Sequence, residues 1–89
     1  MVSGTTSTGF TVKVDPEVIQ DMEFIELAAE AQNNGLLLPK LIEMVLGEKQ
    51  KAALYDHVRN KKGRVLVSAV SDEFEEILSI IREDKDTKN

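Results

Sequence analysis

The chain has 89 residues, no cysteine and a net charge of −5, with 42% hydrophobic and 30% charged residues. A chain without cysteine forms neither disulfides nor thiolate metal sites, and the acidic excess argues against nucleic acid or an anionic membrane as the main partner. No apolar run approaches the ~20 residues of a membrane span, and the start lacks a secretory signal, so we expect one soluble intracellular domain.

The N-terminal residues 1–9, MVSGTTSTG, are mostly small and polar, which is typical of a flexible tail. Residues 10–14, FTVKV, alternate apolar and polar side chains and are predicted to form a strand. A single strand is not stable, so it must pair. The other candidate within the chain is RVLV at 64–67, and a second copy of the protein is the alternative.

Residues 21–33 form the strongest helical pattern, after a possible cap and first-turn proline at Asp15 and Pro16. Glu23, Glu26 and Glu30 occupy one narrow stripe, and apolar residues take most of the remaining circumference. That arc is about twice the ~100° that a surface helix needs, so the helix lies either centrally or between its own core and a partner. Residues 34–35, Asn-Gly, are expected to end it in a left-handed conformation.

Eight of the eleven residues from 36 to 46 are large and apolar. Pro39 is typical of a helix start, so a short helix is predicted over 39–46, with Gly47 ending it. A third helix is predicted from Glu48 to about residue 60, closed by Gly63.

The last helix is the cleanest amphipathic segment, with apolar residues at i, i+4, i+7, i+8 and i+11, namely Val70, Phe74, Ile77, Leu78 and Ile81. Asp72 and Glu75 have the spacing of a capping box. Residues 83–89 are predicted to be a flexible, solvated tail. The fold class expected is mainly α, a small bundle of three to four helices with a short N-terminal β-strand, and residues 10–82 form the single helical domain.

No group of side chains in the sequence points to catalysis. His57 is the only histidine and is interpreted as a polar surface residue, because no nucleophile or orienting carboxylate can be assigned to it. The helical glutamates lack the histidine spacing of carboxylate metal sites, and the five glycines are scattered singly, so no phosphate loop exists. We therefore expect no catalytic residue, no metal and no cofactor.

The apolar surplus is the functional signal. Burial of apolar surface is favoured by about 25 cal/mol per Å², yet a domain this small offers little interior to receive it. One interpretation is that these side chains simply fill the small core, which must hold for most of them. The other, which we adopt for the surplus, is a surface for self-association and partner binding. The candidate partner-binding residues are Met22, Phe24, Ile25, Leu27, Leu36, Leu37, Leu38 and Leu41.

Five segments follow one another in a fixed order and spacing over residues 21–82, namely DMEFIELAAE, LPKLIEMVLGEKQ, ALYDHVRN, a GRV turn and DEFEEIL. In this order and spacing the chain resembles the small tail assembly chaperones of long-tailed bacteriophages, particularly those of Gram-positive hosts. One departure is Leu66, where such proteins often place a helix-starting proline, and it leaves the start of the last helix open.

The resemblance implies a mainly helical, oligomer-forming factor without catalytic activity. Such proteins are encoded just before the tape measure protein and made in a short and a frameshifted longer form. They are thought to coat the tape measure protein, assist assembly of tail tube subunits, and leave before the virion is complete. The expected partners are therefore the tape measure protein, the tail tube protein and further copies of the chain, in the cytoplasm of the bacterial host.

The alternative function is a small cytoplasmic helical regulator or adaptor that acts by protein–protein interaction. Helix-turn-helix proteins also join short helices at glycine turns. A DNA reader needs a basic face, however, and only the segment RNKKGR at 59–64 offers one.

Overall fold

A computed structural model describes the backbone of residues 1–87 and the side chains of residues 1–83. The fold is mainly helical with a small N-terminal sheet, which confirms the predicted fold class. The elements in chain order are β1 (Val2–Thr5), β2 (Thr11–Val14), a first 3₁₀ helix (Pro16–Gln20), α1 (Met22–Asn33), a second 3₁₀ helix (Gly35–Leu37), α2 (Leu38–Val58) and α3 (Val67–Thr87).

The two strands form an antiparallel hairpin in which Val2 pairs with Val14 and Gly4 with Val12. The expectation of a flexible tail over 1–9 is therefore wrong, since Val2 is only 4% exposed and Thr6 is buried as well. The partner of the predicted strand is β1, rather than residues 64–67 or a second copy. Tertiary contact stabilises β1 although it contains Gly4, a residue type that is depleted in strands.

The core lies between the hairpin, α1, both parts of α2, and α3. Four side chains are almost completely enclosed: Ile42 and Leu54 of α2, and Ile77 and Ile81 of α3. The remaining buried apolar residues of this cluster are Phe10, Val12, Val14, Phe24, Leu41, Val45, Leu46, Val70 and Phe74.

The predicted break at Gly47 is confirmed, because its φ of 80° and ψ of 166° interrupt the helical backbone of α2. A positive φ of this kind favours glycine, which has no Cβ to clash with the backbone. The predicted left-handed stop at 34–35 is wrong. Asn34 is extended, with φ −147°, and its Oδ1 instead accepts a hydrogen bond from the Leu36 amide at 3.1 Å, capping the second 3₁₀ helix.

The last helix is longer at both ends than the sequence pattern indicates. It begins at Val67, immediately after Leu66, so Asp72 and Glu75 lie inside the helix and do not cap it. The expected tail begins too early, because residues 83–87 continue α3 and positions 88–89 lie outside the described residues. Loss of the apolar stripe does not end a helix when the following residues include good helix formers and neither glycine nor proline.

Polar contacts fix the hairpin to the helices. The amide and hydroxyl of Ser7 each donate to a carboxylate oxygen of Glu76 in α3, both at 2.8 Å. On the outer edge of β2, the Gln50 side chain accepts from the Lys13 amide and donates to the Lys13 carbonyl, again at 2.8 Å. Gln50 thereby covers backbone groups that an edge strand would otherwise leave unpaired.

Gly4 packs closely against Ile80 of α3. A Cβ built at this position would lie 2.6 Å from Cγ2 of Ile80, which is too close for two carbon atoms. We expect Gly4→Ala to lower the free energy of unfolding by about 1–3 kcal/mol, the usual range for overpacking. Urea denaturation followed by circular dichroism measures the change.

Gly35→Ala is the matched control, because a Cβ there meets nothing within 4 Å, and its effect is expected to stay within about 0.5 kcal/mol. If the clash is specific to Ile80, Gly4→Ala should lower the free energy of unfolding by less in an Ile80→Ala background. An equal cost in both backgrounds would show that the proposed contact does not exist.

The two hydrogen bonds from Ser7, the backbone amide foremost, hold the pKa of the Glu76 carboxyl below its ordinary value. A lowered pKa in the folded state means that the charged carboxylate stabilises the fold above the pKa of the unfolded chain. That stabilisation is lost as the pH falls through the lower pKa of the folded state. We therefore expect Glu76→Gln to destabilise the protein at neutral pH, and the difference from the parent to shrink in acid.

Urea unfolding of the parent and Glu76→Gln across the acid range measures this difference. Glu75→Gln, on the exposed side of the same helix, is the control that changes the same charge without the hairpin contact. A difference that stays constant on acidification would contradict the assigned contact.

Candidate protein-binding surface

Helix α1 carries three distinct stripes along its length. Phe24, Leu27, Ala28 and Ala31 are buried or pack against the core. Glu23, Glu26 and Glu30 form an exposed acidic stripe. Between them, on the outer side, lie Met22 and Ile25, which are 66% and 47% exposed, together with the exposed Ala29. At about 3.6 residues per turn these three residues follow one line on the helix, so α1 presents an apolar stripe away from its own core.

A second apolar surface is a groove where the second 3₁₀ helix, α2 and the start of α3 meet. Its volume is about 270 Å³. Leu36 and Val67, at its margins, are 87% and 70% exposed. We call this surface the apolar groove. Its lining residues are Gly35, Leu36, Leu38, Pro39, Tyr55, Val65, Val67 and Val70.

The eight residues predicted to bind a partner are divided by the fold. Met22, Ile25 and Leu36 are exposed, and Leu27, Leu37 and Leu38 are half-buried, with Leu36 and Leu38 lining the apolar groove. Phe24 and Leu41 are 8% and 7% exposed and belong to the core, so their assignment to a partner surface is wrong. Hydrophobicity alone does not distinguish the two classes on a helix whose apolar arc is this wide.

The sequence patterns did not predict that Tyr55, Val65 and Val67 form the side of the apolar groove opposite Leu36 and Leu38. Tyr55, Val65 and Val67 come from segments that the turn at 59–66 brings beside Leu36. In that turn the Asn60 side chain accepts from the amides of Lys62 and Arg64 at 2.9 and 3.0 Å. The signal available is RVLV at 64–67, an apolar run that is one of the two candidate strand partners predicted for residues 10–14 but lies in a turn and a helix start.

Basic residues flank this groove. Lys40 follows the lining residue Pro39, and Arg64 precedes the lining residue Val65. The Lys51 ammonium lies 5.9 Å from the ring centre of Tyr55 and forms an ion pair with Glu43 at 2.8 Å. The hydrogen bond from that ammonium to Glu43 is the largest of the effects that raise the pKa of Lys51. Among these three basic residues, Lys51 is the one with a contact to a lining residue, Tyr55, and its charge is paired with Glu43.

His57 belongs to a separate polar cluster beneath the hairpin turn. The Thr8 hydroxyl donates to Glu73 Oε2 at 2.8 Å and lies 2.8 Å from His57 Nε2. Because the single hydroxyl proton points to Glu73, Nε2 of His57 acts as the donor to Thr8. This direction is the reverse of a nucleophile activated by a histidine base.

Glu73 is 3% exposed, and its Oε1 has no hydrogen-bond partner among the described residues. The cluster ties the hairpin turn to both α2 and α3. His57 was interpreted as a plain surface residue. It is exposed, but its ring also lies 5.3 Å from that of Phe10.

A depression of about 760 Å³ is a different surface, bounded by the hairpin, the first 3₁₀ helix and the region around Gly47. Asp15, Glu17 and Asp21 line it together with the exposed Met1 and Met44. It combines acidic and apolar groups without the continuous apolar lining of the smaller groove. We therefore place the candidate partner site at the apolar groove despite its smaller size.

Within residues 1–83, no group of three or more His, Asp or Glu side chains is arranged to hold a metal ion. None of the helices over the described part of the chain has the length and hydropathy required to cross a membrane.

Comparisons with family models, with curated proteins and with solved structures found no match for this chain. They therefore assign neither a family nor an activity. The resemblance to tail assembly chaperones stays a prediction, and so does the absence of catalysis.

Proposed function

We propose that the protein is a non-catalytic assembly factor that binds an amphipathic helix of another protein in the apolar groove. Following the resemblance of residues 21–82, the partner is the tape measure protein of a long-tailed bacteriophage, and the result of binding is assisted assembly of the tail tube. The proposed place of action is the cytoplasm of the bacterial host, and the mature virion does not retain the protein.

The exposed apolar groove is the observation that carries this proposal. Leu36 and Val67 leave most of their surface in water at its margins, and Leu66 beside them is 50% exposed. Each Å² of apolar surface removed from water contributes about 25 cal/mol. Apolar surface rimmed by polar residues is typical of interaction sites, which supports a partner that covers this groove.

The size and chemistry of the groove suit a helix. Its volume of about 270 Å³ lies below the ~300–1,000 Å³ of most small-molecule sites. It accommodates a few aliphatic side chains, as in complexes in which residues at i, i+3 or i+4, and i+7 of a helix enter a hydrophobic groove. A long helix with a repeated apolar stripe offers many such sites, and copies bound along it would keep that stripe away from water.

The test is co-expression with the long helical protein encoded immediately downstream. We expect that protein to stay soluble and to co-purify with this chain, and to aggregate without it. If the downstream protein neither co-purifies with this chain nor depends on it for solubility, the proposal fails and the regulator or adaptor alternative is favoured.

Leu36→Asp and Val67→Asp should lower partner recovery by about tenfold each, the effect of losing an anchor worth ~1.4 kcal/mol. Both changes place a charge in the groove at exposed positions, so the far-UV circular dichroism should not change. Met44→Asp is the matched control, because it makes the same type of change at a 37% exposed residue outside the groove. Equal recovery for all three variants would remove the groove from the binding site.

Phe24→Asp separates a core residue from a surface residue on α1. We expect it to unfold the monomer, since burial of the charge adds to the ~3–5 kcal/mol typical of truncating a buried phenylalanine. Ile25→Asp, at the neighbouring exposed position, should leave the urea midpoint nearly unchanged. Urea denaturation of the two variants measures the contrast, and equal midpoints would show that the two residues are not divided between core and surface.

A further inference from the structure

The two strands of the hairpin differ in what covers their outer edges. On β2, the Lys13 amide donates to Gln50 Oε1 and the Lys13 carbonyl accepts from Gln50 Nε2, both at 2.8 Å. Both backbone groups of Lys13 therefore point away from β1. In an antiparallel pair, a residue of this kind lies opposite another whose amide and carbonyl also point outward. Since Lys13 pairs with Ser3, the backbone groups of Ser3 point away from β2.

The register extends this assignment to the next outward position, Thr5. It pairs with Thr11, two residues along the strand from the pair described above, so its amide and carbonyl point outward as well. The Thr6 amide donates inward to the Phe10 carbonyl at 2.9 Å, as the alternation requires. The outer edge of β1 thus carries the amides and carbonyls of Ser3 and Thr5. None of these four groups has a hydrogen-bond partner among the described residues.

The edge of β1 lacks the features that protect an edge strand. Ser3 and Thr5 are both exposed, and neither is charged or a proline. The edge of β2, by contrast, carries Lys13 and is covered by Gln50. Unpaired backbone groups on an uncovered edge are a template for the addition of a strand from another chain.

Contacts to α3 fix which side of that helix lies beside the β1 edge. β1 packs on α3 and β2 packs on α2, so a strand added to β1 extends the sheet on the side away from α2. Ser7, just after β1, hydrogen-bonds to Glu76, and Gly4 packs on Ile80. These two α3 residues are one turn apart and mark the line along the helix that runs beneath β1.

The side of α3 next to that line is exposed and acidic. With about 3.6 residues per turn, three further residues share the side of Glu76 that is turned away from the buried face of the helix. They are all exposed, and in chain order they are Asp72, Ser79 and Glu83. Arg82, the one basic residue between positions 67 and 83, lies about 120° from Glu76 around the helix. A strand added to β1 would therefore lie over carboxylates.

We propose that the outer edge of β1 takes an extended segment of another protein as a third strand, and that this segment carries lysine or arginine on its side facing α3. Its backbone bonds to the amides and carbonyls of Ser3 and Thr5, and its basic side chains lie against the acidic side of α3. The edge shares no residue with the apolar groove, so the proposal does not rest on the proposed function.

Charge favours a different protein over a second copy at this edge. Pairing of β1 with β1 of another copy would place the acidic sides of two α3 helices next to each other, in a chain whose net charge is −5. Like charges brought together across an interface repel. A basic segment instead neutralises the carboxylates beside the edge.

A synthetic peptide of alternating valine and lysine, added to the ¹⁵N-labelled full chain, tests the proposal. The Ser3 and Thr5 amides should exchange with solvent at least about fivefold more slowly in the bound protein, because new hydrogen bonds protect amides from exchange. The same peptide with glutamate in place of lysine should bind at least about tenfold more weakly, because it meets like charge on α3.

N-methylated peptides separate strand addition from general attraction to an acidic protein. Alternate amides of a strand point to opposite sides. Methylation of the valine amides or of the lysine amides keeps the peptide charge and blocks one side or the other. One of the two peptides should therefore bind at least about tenfold more weakly than the unmodified peptide, and the other should bind like it.

Ser3→Pro tests the edge in the protein itself. Proline removes the outward amide and is tolerated in an edge strand where that amide makes no ladder hydrogen bond. It should weaken peptide binding at least about tenfold, whereas Ser3→Ala, which keeps the amide, should bind like the parent. If far-UV circular dichroism shows that Ser3→Pro does not fold, the two methylated peptides on the parent decide the question.

The proposal is overturned if the Ser3 and Thr5 amides stay unprotected at millimolar peptide, if both methylated peptides bind like the unmodified one, or if the glutamate peptide binds as well as the lysine peptide. Protection of these amides in the free protein that increases with protein concentration would assign the edge to a second copy, and would overturn it as well.

Discussion

The apolar face of α3 is the contact on which the rest of the structure depends, because the hairpin and α2 both pack against it. Phe74, Ile77 and Ile81 supply its buried surface. Ser7 hydrogen-bonds to Glu76 of the same helix, and Gly4 packs against its Ile80. A chain of 89 residues builds one core of this kind and no second layer. The core covers only one side of α1 and leaves part of the lining of the apolar groove exposed. Apolar surface therefore remains in water on the outer side of α1 and in the groove.

The break at Gly47 connects this core to the binding surface. It lets Leu41 and Ile42 before it, and Leu54 after it, contribute to one core although they belong to parts of α2 that do not form one continuous helix. Tyr55, in the part of α2 after the break, and Val67, at the start of α3, both line the apolar groove. The break in α2 therefore contributes both to the core and to the lining of the apolar groove.

The periodic parts of the fold were predictable from sequence, and the parts created by tertiary contact were not. Phe74, Ile77 and Ile81 follow a clean helical period, and Gly47 is a strong break signal. In contrast, β1 is four residues long, contains Gly4 and shows no extended alternation, and it depends on the packing of Gly4 and on the hydrogen bonds from Ser7. The candidate site was predictable in part for a related reason. The wide apolar arc of α1 indicated a surface but did not separate Phe24 from Met22, and the other wall of the groove comes from distant segments.

The measurement to make first is a titration of the ¹⁵N-labelled protein with a peptide covering a predicted amphipathic helix of the downstream protein, followed by amide chemical shifts. Binding in the apolar groove predicts shifts confined to residues around Leu36, Tyr55 and Val67, with the amides of the hairpin unaffected. If the shifts instead cluster at the depression beside Met1 and Met44, or if no amide shifts at millimolar peptide, the groove is not the site at which this protein meets its partner.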